Sequence, residues 1–149
     1  MHTINQLAVK LHQEVVATLL RNLKAMPDDK LTWKPLGQGR TVLSQLQECA
    51  IMTGLCAEAL KTRRFPEYTD ESYNSAIEEI DHIALTVESL KINLDRLIRE
   101  IDNFPSDELE KTLLYPWDDK PKTFAELMMM NYWNLSYHEG QIAYIQSLY

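Results

Sequence analysis

Asn134-Leu-Ser-Tyr-His138 sets an amide and an imidazole four residues apart in what reads as the last helix of the chain. At 3.6 residues per turn such a pair leaves one face about 6 Å apart, close enough for both side chains to converge on one group. Two histidines at that spacing make a metal-chelating pair, and here the first position carries an amide, a much poorer donor than imidazole. Gln141, three residues after His138, shares its face, and Trp133 and Tyr137 are candidates to line the same cleft. Aromatic packing between helices accounts for the two rings equally well.

Other chemistry-bearing residues are less telling. Glu79-Ile-Asp-His82 has the Glu-x-x-His spacing of a di-iron site, but such a site needs a second pair and the sequence supplies none. Glu79 and His82 each precede an apolar seam position and read as a solvated flank, and His12, next to the core position Leu11, reads as a surface histidine. Cys49 and Cys56 fall on one helix about 10 Å apart in rise, beyond disulfide reach, so both read as reduced thiols and Cys49 as a small buried residue. Gly37-Gln-Gly39 lacks the third glycine and the preceding strand of a dinucleotide fingerprint. Met128 to Met130 read as helix and core filler. Asn134-Leu-Ser136 matches a glycosylation acceptor by chance, inside a helix and with no secretory signal.

The chain of 149 residues is expected to form one domain, 1–149, that withdraws roughly 70% of its unfolded surface from water. A formal net charge of −7 gives no cationic footprint for a phosphate backbone, so nucleic acid is excluded as a partner. There is no basic-then-apolar leader and no apolar run long enough to span a bilayer, so the expectation is a soluble, cytoplasmic protein without membrane association.

The elements that must position Asn134 and His138 are helices. Apolar residues recur at helical spacing in four blocks, with no convincing strand-type alternation, which predicts an all-α four-helix bundle. The first block opens at Thr3, with Gln6 placed for a capping box, runs through Ile4, Leu7, Leu11, Val15, Leu19 and Leu23, and ends at Pro27. The second is capped by Thr41 and broken by Arg63-Arg64-Phe65-Pro66; its Gly54 marks close helix packing. The third carries a coiled-coil-like seam from Ile80 through Ile83, Val87, Leu90, Leu94 and Leu97 to Ile101. The fourth opens with the capping box Thr123-Phe-Ala-Glu126. Between the third and fourth lies a long loop, Asn103 to Lys122, whose Tyr115-Pro-Trp117 supplies apolar mass to cap one end of the bundle, as Leu31-Thr-Trp33-Lys-Pro35 does after the first helix.

The order of the Met26 to Pro35 loop, the Thr41-Val-Leu helix start, Tyr115-Pro-Trp117, Thr123-Phe-Ala-Glu-Leu127 and terminal His138-Glu-Gly-Gln141 resembles the DinB/YfiT-like family over nearly the whole chain. The resemblance implies a four-helix bundle, often a homodimer, binding a divalent metal such as zinc or nickel through one histidine of the second helix and two of the fourth. Relatives include thiol-dependent S-transferases and a maleylpyruvate isomerase. Carried over residue by residue, the second-helix ligand falls on Glu48 and the fourth-helix ligands on Asn134 and His138, so one histidine of three remains. Glu48, Asn134 and His138 would favour a harder, more weakly held and more hydrated ion than three imidazoles would, with zinc, nickel or manganese as candidates. The alternative is metal-free: Glu48 pairs with His138, the Asn134 amide satisfies either, and the protein is a small-molecule-binding or structural homodimer with a lost metal site. A metal-dependent enzyme resembling thiol S-transferases stays as the second reading, with no catalytic residue assigned.

Overall fold

Threonine hydroxyls set the start of most helices. Thr3, Thr41, Thr69 and Thr123 are each the N-cap of a helix, accepting a backbone N–H three residues on: α1 (Ile4–Ala25), α3 (Val42–Thr62), α4 (Asp70–Glu79) and α6 (Phe124–Ile145). Thr3 and Thr123 close the capping boxes predicted with Gln6 and Glu126. The computed structural model describes residues 3–117 and 120–149 and adds the short α2 (Asp28–Leu31) and α5 (Ile83–Asp102). The long helices pack in the cyclic order α1, α6, α3, α5, with α3 on α5 the most extensive pairing. The protein is all-α, as the periodicity predicts. Among the described residues no helix is long and apolar enough to cross a membrane.

Local sequence explains where this differs from expectation. The seam running from Ile80 is broken, because α4 ends at Glu79 and α5 starts afresh after His82. The Ile80 carbonyl at the break accepts from Gln47 Nε2 at 2.9 Å and Thr86 Oγ1 at 2.9 Å, which satisfies it without a continuous helix. The 103–122 segment is not all loop: β1 (Thr112–Leu114) pairs antiparallel with β2 (Pro121–Thr123). Strands of three residues are too short to show a period. As expected, Tyr115 and Trp117 cap the bundle, meeting Phe65 edge-on with ring centroids 5.5 and 5.3 Å away. Arg63, in the left-handed conformation that ends α3, lies over the Phe104 ring at 4.1 Å and bonds Glu108, tying the cap segment to α3.

The first helix buries a different face near its start. Ile4 and Leu7 are about half exposed, whereas Asn5, Ala8 and His12 are buried. Asn5 drives this: its Nδ2 donates to the carbonyls of Ile101 and Phe104, each at 2.8 Å, closing the orphaned end of α5. His12, expected at the surface, is fully buried, with Nδ1 against the Ala8 carbonyl at 2.7 Å and its ring edge-on to Tyr132.

The core divides into two apolar clusters. One contains Ala8, Cys56, Leu97 and Met128; the other contains Val15, Ala50, Leu90 and Leu135. His12, Thr53 and Asn131 fall between the clusters on their respective helices, each buried and each with a side-chain polar atom that has no protein partner. Gly54 permits the close α3–α5 approach: a Cβ there would lie 2.8 Å from Asn93 Nδ2, which donates to the Ala50 carbonyl at 3.0 Å.

Leu97 is wholly buried while Ile92, on the same helix, is 54% exposed. Leu97→Ala is therefore expected to cost about 2–5 kcal/mol in urea unfolding and Ile92→Ala within about 0.5 kcal/mol. Equal unfolding midpoints for the two variants would contradict this register.

Candidate functional site: a carboxylate–histidine pair

Helices α3 and α6 are neighbours, and Glu48 in the second turn of α3 faces Asn134 and His138 on consecutive turns of α6. The distances close a network around one carboxylate. Glu48 Oε1 lies 3.0 Å from His138 Nε2 and accepts from Asn134 Nδ2 at 3.1 Å. Its Oε2 accepts from Arg40 Nη1 at 2.6 Å, while Arg40 Nη2 donates to the Ser44 carbonyl at 2.9 Å. The residue just before the N-cap of α3 is thus folded back along the first turns of its own helix, and its guanidinium reaches the carboxylate as a fixed cation.

His138 is held from both sides. Its Nδ1 lies 3.0 Å from Gln141 Oε1 and 3.3 Å from Gln45 Oε1, so both ring nitrogens face oxygen acceptors. Two amide oxygens at Nδ1 suit an N–H on that nitrogen. The Nε2 contact with Glu48 is a close approach off the hydrogen-bonding direction, and Nε2 and Asn134 Oδ1 are buried without an aligned partner. Contact with His138, and after it the Arg40 guanidinium, holds the Glu48 carboxyl down at about 2 against the opposing effect of burial.

Aromatic rings surround this centre. Tyr137 meets the His138 ring edge-on at 5.4 Å and stacks on Trp133 at 5.6 Å. The Tyr68 hydroxyl is pushed up to about 12, chiefly by burial, with the charges of Tyr73 and Glu48 adding to the effect. Burial likewise pushes the Cys49 thiol up to about 12, which leaves it protonated and unsuited to nucleophilic attack. Cys49 and Cys56 are both free and buried.

The structure brings Glu48, Asn134, His138 and Gln141 into one network and sets Tyr137 on its edge. Trp133 is 64% exposed and instead borders a cavity of about 70 Å³ with Asn131, Asn134 and Tyr115. Sequence reasoning missed Gln45 and Arg40. Gln45 lies three residues before Glu48, so helical spacing alone places it on that face. Arg40 precedes the helix, and no periodicity signals it. On the far side of His138 opens a cleft of about 670 Å³, with Leu36, Tyr137, Tyr144 and Leu148 on its walls and Arg40, Gln45 and Gln141 among its polar lining.

The donors available to a cation are one carboxylate, one imidazole and one amide that turns its N–H toward the carboxylate. Among the described residues no group of three or more His, Cys, Asp or Glu side chains is arranged to hold a metal ion. A tightly held transition metal ordinarily takes three good protein ligands around one point, and this set offers a carboxylate and an imidazole beside an amide whose N–H is turned to the carboxylate.

A helical bundle with a carboxylate–histidine pair between two adjacent helices defines the class of protein. The chain belongs to the DinB superfamily, whose profile matches residues 11–142. No curated protein matches it. Among solved structures it is similar to one described as the mycothiol-dependent maleylpyruvate isomerase, with a TM-score of 0.71, 16% sequence identity and 95% of this chain covered. The chain spans 63% of that isomerase's length, and the likeness shows a shared fold.

Two titrations should separate in the pH dependence of stability. Burial lowers the His12 pKa, so the unfolded chain takes up a proton first and stability falls as pH drops below about 6.5. Glu48 is also lowered, so its contribution is complete above about 4.5 and is lost as pH falls toward 2. Urea unfolding from pH 8 to 3 is expected to show both stages, with His12→Leu flattening the first and Glu48→Gln the second. An unchanged upper stage in His12→Leu would assign that titration elsewhere.

Proposed function

We propose that this chain is a metal-independent DinB-superfamily homodimer that binds a small molecule or serves a structural role, with an ion-pair network where the family resemblance implies a metal. The observation that supports it most is the Arg40 guanidinium on Glu48 Oε2 at 2.6 Å. A carboxylate already neutralised by a built-in cation, with His138 on its other oxygen, has little left to offer a divalent ion. The homodimer is supported by exposed apolar side chains of α6 that lie outside the cleft, Met129 and Trp133. Met128, read from the sequence as core filler, is fully buried. The two buried thiols support a reducing, cytoplasmic setting.

A second reading, a divalent-metal enzyme resembling thiol-dependent S-transferases, draws on the unaligned His138 Nε2 and Asn134 Oδ1. Both would have to turn toward an ion, and Arg40 would have to leave. Calorimetric zinc titration decides between the two. The parent protein, purified without a histidine tag, is expected to bind weakly, and Glu48→His with Asn134→His to raise zinc affinity by orders of magnitude with an unchanged far-ultraviolet spectrum. Stoichiometric tight zinc in the parent would reverse the proposal. Light scattering at micromolar concentration is expected to show a dimer; a monomer throughout would remove that part of it.

A further inference from the structure

The 670 Å³ cleft is of ordinary ligand-binding size, and its polar residues are joined to the carboxylate–histidine pair. Gln45 is only 3% exposed, yet it lines the cleft. Its Oε1 faces His138 Nδ1, and so does that of Gln141. Among the described residues neither amide nitrogen has an acceptor, so both glutamines keep N–H donors for whatever enters. Arg40 lines the same cleft beside them, and its charge lies between the cleft and Glu48. The remaining walls, Leu36, Tyr137, Tyr144, Ile145 and Leu148, are mainly apolar. Leu36 is held there in a left-handed backbone conformation (φ 55°) with its side chain 93% exposed, a strained arrangement for a non-glycine residue.

We infer that this cleft binds a small monocarboxylate with an apolar body, its head group taking the amide donors of Gln45 and Gln141 beside Arg40 and its body lying against Leu36, Tyr144 and Leu148. This rests on the small-molecule reading above and names the ligand class. Donors without a competing acceptor select an acceptor head, and a carboxylate accepts from two amide N–H groups more strongly than a neutral carbonyl does. Because each glutamine holds His138 Nδ1 with its other amide atom, occupancy of the cleft is felt at His138 and through it at Glu48.

The test uses octanoate and octylamine, which share a tail and differ in head charge. Calorimetry with proton NMR of the His138 ring is expected to show saturable octanoate binding in the millimolar range or tighter, a shift of the His138 resonances, and no comparable binding of octylamine. Gln45→Leu and Gln141→Leu should each weaken octanoate about tenfold. Tyr144→Glu should weaken it as well; that side chain is 66% exposed, so folding is not at stake. Equal binding of the two probes, absence of octanoate binding, or affinity unchanged in all three variants would overturn the assignment. Octanoate binding confined to a variant that light scattering shows to be monomeric would also overturn it, making the cleft a contact between copies. None of these outcomes bears on the zinc titration, so the metal-free reading stands or falls separately.

Discussion

A carboxylate placed between two packed helices must have its charge balanced, and the arrangement around Glu48 follows from how this is done. The side chain is partly buried, so solvent cannot neutralise it fully, and three groups from different parts of the chain converge on its two oxygens. Arg40 comes from the loop before α3, and Asn134 and His138 come from α6. The network therefore fixes the loop geometry, the α3–α6 register and the ring orientation of His138 together. The glutamines at Nδ1 extend it to the cleft. Removing Glu48 would leave the Arg40 guanidinium and the Asn134 amide without the acceptor they share, which is why neither is independent of it.

Most of the fold was legible because long helices repeat their instructions. Four apolar blocks, threonine caps and proline breaks placed the four long helices, and Gly54 announced the close approach of α5. What was not legible depended on single contacts. Asn5 rotated the start of α1 by satisfying two carbonyls at the end of α5, carrying His12 inward and Ile4 and Leu7 outward. Gln47 and Thr86 made a helix break at Ile80 tolerable where periodicity ran straight on. The chemistry of the site was legible in part for the same reason. Asn134, His138 and Gln141 share a helix face by spacing, and Glu48 came from the family resemblance. Arg40 came from neither, since only the folded loop puts its guanidinium on that carboxylate.

The polar residues between the two apolar clusters add a second constraint. His12, Thr53 and Asn131 are buried with unpartnered atoms, an arrangement that costs stability compared with an apolar interior. Aliphatic residues in their places would let the clusters merge into one core, with fewer restrictions on register. A polar group at a fixed level specifies alignment, because sliding a helix by one turn would put it inside an apolar cluster. In this bundle the level lies next to the site on α6, where Asn131 precedes Asn134 by three residues. The cost in stability thus falls where loss of register would separate Glu48 from His138.

A guanidinium on a carboxylate supports different chemistry from a metal ion there. A divalent ion polarises a bound thiol or water and can be lost to a chelator; an arginine does neither. It supplies charge and directional N–H donors but no open coordination position, so Glu48 becomes an anchor rather than a ligand. What stays available is on the other side of the histidine, where Gln45 and Gln141 have amide nitrogens facing a large apolar cleft. The His138 ring sits between Glu48 at one nitrogen and two amide oxygens at the other, and a ligand that pulls on those amides alters the second of these contacts. The cleft and the Glu48 carboxylate are then joined through one imidazole, by contacts made entirely by this chain's own side chains.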